Sequence, residues 1–155
     1  MVPARTLHLA RMLALATPLL LLSGAYIFQY GFGMAPCEMC WWQRYAHFAA
    51  LALALLALIW RRSAIPVVLA GLAIAVAGLI GAFHAGVEYH WWQGLTACTA
   101  PAGSLEDLFN APIVRCDVAP WSLLGVSMAG WNFLLSGAAV AGIFALVRRS
   151  WKELR

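Results

Sequence analysis

Four apolar runs leave this chain little choice of architecture: about Met12–Tyr30, Trp41–Trp60, Ala64–Gly86, and one beginning near Trp121 and ending at Val147. Each of the first three is close to the length, about 20 residues, that a helix needs to cross a hydrocarbon core of about 30 Å. The fourth is too long for one upright span. Trp121–Gly130, which carries Gly125, Ser127 and Gly130, reads as a segment lying in the interface, and the crossing as about Ala129–Val147. Helices rather than strands follow, because backbone groups in lipid must be satisfied within the segment. With 64% of 155 residues hydrophobic and 10% charged, the solvent such a chain expects is lipid. The expected fold is an all-α membrane protein: a single-domain antiparallel bundle of four transmembrane helices over about 12–30, 41–60, 64–86 and 129–147, with outer loops 31–40 and 87–128.

Charge orients the bundle. Arg5 and Arg11 precede the first run, Arg61 and Arg62 join the second and third, and Arg148, Arg149, Lys152 and Arg155 follow the fourth. Four crossings bring all of these to one side. The other side holds Arg115 with Glu38, Glu88, Glu106, Asp107 and Asp117. By the positive-inside rule both termini are expected in the cytoplasm and both loops outside, which in a bacterial inner membrane means the periplasm, where disulfides persist. The net charge of +4 comes from short basic clusters between apolar runs, not from the single basic stripe of a nucleic-acid binder. Arg5, Arg11, Met12–Leu22 and Ser23-Gly24-Ala25 also resemble a cleavable signal peptide. The apolar character continues through Tyr26, Ile27 and Phe28, so a retained anchor is the expectation.

Arg61-Arg62-Ser63 is short enough to force an antiparallel pair of helices. Small residues at four-residue spacing, Ala77, Gly81 and Ala85 on the third run and Gly137, Ala141 and Ala145 on the fourth, are expected to mark helix contacts. In the second loop Ser104–Phe109 reads as a short helix capped by Ser104, its first turn carrying Glu106 and Asp107 and its Leu105, Leu108 and Phe109 turned to the membrane surface.

The chemistry-bearing residues cluster at the outer boundary. Pro36-Cys37-Glu38-Met39-Cys40 stands where a polar turn meets the second run. Pro36 suits a first helical turn, which would put a Cys-x-x-Cys pair at a helix N-terminus, where the helix dipole favours a thiolate. The same spacing also fits half of a zinc site or an inert disulfide. Arg44, one turn beyond Cys40, shifts the balance: a cation there stabilises a thiolate and polarises an electron acceptor dissolved in the bilayer, and a zinc site gains nothing from it. Its bland reading is an arginine reaching the outer headgroups. Cys98 and Cys116, with 17 residues between them, fit an exchangeable disulfide pair or a loop-closing staple contributing about 3 kcal/mol. His47 lies on the face of Arg44, and His84 at similar depth on the third run. Together they would suit axial haem ligation, a hydrogen bond within the bundle, or a proton relay. Trp41, Trp42, Tyr45, Tyr89, Trp91, Trp92 and Trp121 form an aromatic belt.

Taken in order, Cys37-x-x-Cys40-x-x-Gln43-Arg44, His84-x-Gly86-Val87-Glu88, Trp92-x-Gly94-x-x-x-Cys98, and Cys116 followed by Pro120-Trp121, Gly125, Ser127-Met128 and Trp131-Asn132 resemble the disulfide bond formation protein B family, the quinone-dependent thiol oxidases of bacterial inner membranes. The resemblance covers nearly the whole chain. Leu95 stands where many members carry proline, and the stretch between Cys98 and Cys116 is shorter than in the best-known members. The resemblance implies two redox disulfides, Cys37–Cys40 and Cys98–Cys116. A reduced thioredoxin-like periplasmic oxidase of the DsbA kind would attack the second pair, with Cys98 carrying the mixed disulfide. Cys116 would then attack Cys37, freeing Cys40 as a thiolate. Electrons would pass to ubiquinone or menaquinone held by Arg44 and His47, with no metal. A vitamin K epoxide reductase-like enzyme would carry its Cys-x-x-Cys late in the chain. A haem protein using His47 and His84, and a scaffold with structural cysteines, complete the alternatives.

Overall fold

The computed structural model describes residues 4–96 and 114–153. Its elements are α1 (Ala4–Gly31), α2 (Glu38–Ile59), α3 (Ile65–Glu88), a two-stranded hairpin of β1 (Ser122–Leu123) and β2 (Val126–Ser127), and α4 (Met128–Lys152). All four helices are long and apolar enough to cross a membrane. Thr6 on α1 donates to Glu153 beyond the end of α4, and Arg11 donates to the carbonyl of Arg61 at 2.7 Å. The start of α1, the α2–α3 turn and the end of α4 therefore share one end of the bundle.

Close helix approach comes from small residues on α3. A Cβ added at Gly81 would lie 2.9 Å from the Ala129 carbonyl oxygen, and one at Gly78 2.9 Å from the Ser136 Cβ. On α4 the facing stripe is Ala129, Ser136, Ala139, Ile143 and Val147, all buried and spaced by three, four or seven residues, as a helix seam requires. The expected row of Gly137, Ala141 and Ala145 faces outward instead, and a Cβ at Gly137 would meet nothing. Four-residue spacing identifies a possible face on α4, but the partner is met one helical step away, through the serine and alanine stripe. The core between the helices is alanine-rich, with Ala10, Ala14, Ala50, Ala54, Ala57 and Ala70 around Leu7, Val67, Ile74, Ile143 and Val147.

At the cysteine end, two further expectations change. Pro36 lies before the helix rather than in its first turn, because Cys37 is the N-cap and α2 begins at Glu38. Trp121–Gly130 is not one interfacial segment. It folds as the hairpin, whose two-residue turn places Leu124 and Gly125 at φ 53° and 78°, and then enters α4. Ser127 caps that helix by accepting from Gly130 N at 3.1 Å. Tyr89, at the end of α3, pins the hairpin by donating to Gly125 O and accepting from Ser127 N. Trp92 lies over Gly86, where any Cβ would fall 2.0 Å from its ring. The expected helix at Ser104–Phe109 lies outside the described residues.

Candidate active site

Cys37 and Cys40 are brought together by the first turn of α2. Cys37 takes the place that Ser or Asp usually holds at an N-cap, its sulfur accepting from Cys40 N at 3.2 Å. The Cys37 thiol donates to the Cys40 sulfur at 2.7 Å, and both are free thiols. That donation, followed by burial, pushes the Cys37 thiol well above the ordinary range. The pair thus divides its roles: Cys37 holds the proton, and Cys40 is the sulfur that accepts.

Cys116 comes to the same place from the other loop. It is fully buried, disulfide-bonded, and packed with Cys37, Met39 and Val87. Its sulfur, the Cys37 sulfur and His84 Nε2 lie within 4.8 Å of one another. Beside it, Asp117 is held below the usual carboxylate range by the hydrogen bonds it accepts from Arg115. Cys98 lies outside the described residues.

A buried polar chain supports the dithiol, and two backbone carbonyls fix its direction. Gln43 Nε2 donates to Met39 O at 3.1 Å, so the amide nitrogen also faces His84 Nδ1 at 3.0 Å. Asn132 Nδ2 donates to Ala77 O at 3.0 Å and to Gln43 Oε1 at 2.8 Å. Asn132 Oδ1 then accepts from His47 Nε2 at 2.9 Å and from Ser136 at 3.1 Å. A carbonyl can only accept, so each amide has one consistent orientation. It follows that neutral His84 accepts at Nδ1 and carries its hydrogen on Nε2, while His47 carries its own on Nε2. The His84 Nε2–H points to Cys116 O at 3.1 Å and to the Cys37 sulfur at 3.6 Å. His47 Nδ1 is left as a buried acceptor without a partner among the described residues.

Arg44 does not reach outward to headgroups. It is buried, donating to Gln29 Oε1 at 2.5 Å and Ala25 O at 3.2 Å on α1. Its guanidinium is stacked 4.8 Å from the Tyr26 ring and 5.0 Å from the Trp41 ring. No carboxylate pairs with it among the described residues. Arg44, Cys40, His47, His84 and Glu88 line one largely apolar cavity of about 460 Å³ between α1, α2 and α4. Glu88 is also buried, with Oε2 lacking a hydrogen-bond partner among the described residues and Oε1 3.8 Å from His84 Nε2.

The spacing of Cys37, Cys116 and His84 would suit a metal ion, but the chemistry here does not. Cys116 is disulfide-bonded, and the hydrogen on His84 Nε2 occupies the position a metal would need. Axial haem ligation by His84 through Nε2 would move its hydrogen to Nδ1, against the amide that Gln43 donates there. Cys37, Cys40, Cys116, Arg44 and His47, marked in the sequence, all converge here. Gln43 and Asn132 appeared there only as motif letters, Glu88 as a motif letter and one of the outer acids, and Gln29 not at all. Their signal was a polar side chain inside an apolar helix, which in lipid is costly enough to mark a site.

Thiol–disulfide chemistry built into a membrane bundle is the class that this site defines. The family described as Disulfide bond formation protein DsbB matches residues 7–146, and the chain belongs to it. It is similar to the disulfide bond formation protein B of Marinobacter nauticus, 30% identical with 83% of this chain and 85% of that protein covered. It is also similar to that of Pasteurella multocida, 32% identical with 77% and 73% covered. An uncharacterized protein of Rickettsia prowazekii is 29% identical, with 74% and 73% covered. No solved structure matches the chain.

Proposed function

We propose that this protein reoxidises a soluble thioredoxin-like thiol oxidase and passes the electron pair to a membrane quinone, sustaining disulfide formation outside the cytoplasmic membrane. The observation that carries the reading is the meeting of the two cysteine-bearing segments, with the Cys116 and Cys37 sulfurs within 4.8 Å and Cys40 on the wall of an apolar cavity that also holds Arg44.

The reduced partner opens the Cys98–Cys116 bond and becomes attached to Cys98. Cys116, now a thiolate, attacks Cys37. The Cys116–Cys37 bond forms, the Cys37–Cys40 bond breaks, and Cys40 leaves with the electron pair. Exchange of this kind favours a leaving thiol whose anion is stabilised, and the charge of Arg44 acts on Cys40. A cavity of about 460 Å³ falls in the range for ligands the size of a quinone ring. Arg44, held by α1 without a carboxylate partner, supplies positive charge where a quinone oxygen becomes negative. The unpaired His47 Nδ1 offers that oxygen's hydroxyl, once formed, an acceptor. The end of the bundle carrying Arg5, Arg11, Arg61, Arg62, Arg148 and Arg149 is placed in the cytoplasm by the positive-inside rule, and the cysteine end in the periplasm.

The test is purified protein in detergent with ubiquinone and a reduced thioredoxin-like oxidase, followed by quinone absorbance, with Cys40→Ser as control. Quinone reduction that requires both the partner and Cys40 is expected. No reduction of either ubiquinone or menaquinone by folded protein would overturn the reading.

A further inference from the structure

His47 and His84 stand at opposite ends of the buried polar chain, separated by the side-chain amides of Gln43 and Asn132. Amides transmit hydrogen bonds but relay protons poorly, since each transfer would require an imidic-acid form. Both imidazoles line the cavity, and of the two it is His84 that reaches the sulfurs. His84 meets both reacting cysteines with one ring nitrogen, at the Cys116 carbonyl and at the Cys37 sulfur.

We propose that His84 is a catalytic hydrogen-bond donor for the exchange between the two cysteine pairs, docking Cys116 through its carbonyl and stabilising the Cys37 sulfur when it leaves as a thiolate. This rests on the exchange order proposed above. In its second half, the partner is released from Cys98, and the Cys98 thiolate attacks Cys116. The Cys98–Cys116 bond forms, the Cys37–Cys116 bond breaks, and the electron pair leaves on Cys37, with no net oxidation. That is the step in which Cys37 carries charge. The Cys40 N–H already donates to that sulfur at 3.2 Å, but the ionisable side chains facing it oppose an anion. Cys40 and Glu88 both act on Cys37 as like charges, and Glu88 lies beside His84 on α3 with one oxygen unpaired. Arg44 is turned toward Ala25 and Gln29 and acts on Cys40. The His84 Nε2–H, held in place by Gln43, is the side-chain donor that joins the Cys40 N–H at that sulfur.

The test uses the full chain in detergent carrying Cys40→Ser and Cys98→Ser, so that the remaining disulfide is Cys37–Cys116. Mercaptoethanol attacks one sulfur or the other, and peptide mass records which cysteine keeps the mixed disulfide. With His84 present, the label is expected on Cys116, because Cys37 leaves. His84→Leu is expected to lower the Cys116-to-Cys37 labelling ratio about tenfold, the loss of one hydrogen bond to an anion, and His84→Gln, which keeps an N–H donor, to restore part of it. Equal ratios in the parent and His84→Leu would overturn the proposal. If His84→Leu does not fold, His84→Asn, whose amide is too short to reach Cys37, answers the same question. Failure of the Cys37–Cys116 bond to form at all would overturn the exchange order and this inference together. None of these readings depends on quinone.

Discussion

Gln43 donates its amide to Nδ1 of His84 at 3.0 Å, and that one contact between α2 and α3 determines which ring nitrogen faces the sulfurs. The direction of the donation is set within α2, by the Met39 carbonyl four residues before Gln43 that the same amide serves, and it acts on a ring 41 residues away in sequence. The amide of Asn132 completes the chain from α4. The geometry at the cysteines thus depends on uncharged side chains, Gln43 and Asn132, which also line the cavity.

Arg44 is expected to separate the two half-reactions. Arg44→Ala should raise the KM for ubiquinone about tenfold or more while leaving exchange with the partner within about twofold. Arg44→Lys should recover little, since an ammonium cannot both stack between Tyr26 and Trp41 and serve Gln29 and Ala25. Steady-state quinone reduction and partner-oxidation kinetics measure the two steps. Equal loss in both would refute the division.

Asn132 is expected to matter for stability before it matters for chemistry. Asn132→Leu leaves the Ala77 carbonyl, Gln43 Oε1 and His47 Nε2 without their partner, at a cost of about 2 kcal/mol given the modest worth of such bonds in membranes. Asn132→Asp should be worse, because a carboxylate cannot donate to Ala77 O. Unfolding in mixed detergent micelles provides the comparison, and an unchanged midpoint for both variants would contradict the network.

The α3–α4 seam offers a paired test. Gly81→Ala places a methyl 2.9 Å from the Ala129 carbonyl oxygen, and such overpacking should destabilise by about 1–3 kcal/mol. Gly137→Ala, which meets nothing, should be neutral or slightly stabilising by its higher helix propensity. If the two variants melt alike, the seam is misplaced.

Cys37 predicts a pH dependence in the reduced protein. Its thiol is held above the ordinary range by its hydrogen bond to Cys40 and by burial. A group with a raised folded pKa contributes stability that is complete below the unfolded thiol value of about 8.5 and is lost as pH rises through the folded value. The reduced protein should therefore lose Tm more steeply above about pH 8.5 than Cys37→Ser does. Parallel Tm–pH curves would show that the proton on Cys37 is not held by the fold.

Run length and charge are local properties, so the four membrane-length helices could be read from the chain directly. The convergence of Cys37, Cys40 and Arg44 was legible for the same reason, since one helical turn relates them. The seam on α4 was not, because periodicity gives a helix its faces without saying which neighbour each face meets: Gly137, Ala141 and Ala145 had the right spacing and the wrong direction. The hairpin before α4 was hidden in an apolar stretch whose turn is visible only in the positive φ of Leu124 and Gly125. The roles of Gln43, Asn132 and His84 depended wholly on tertiary packing. Asn132 and Gln43 are 89 residues apart, and a buried amide acquires its orientation, and a histidine its tautomer, only from the carbonyls that another helix brings against them.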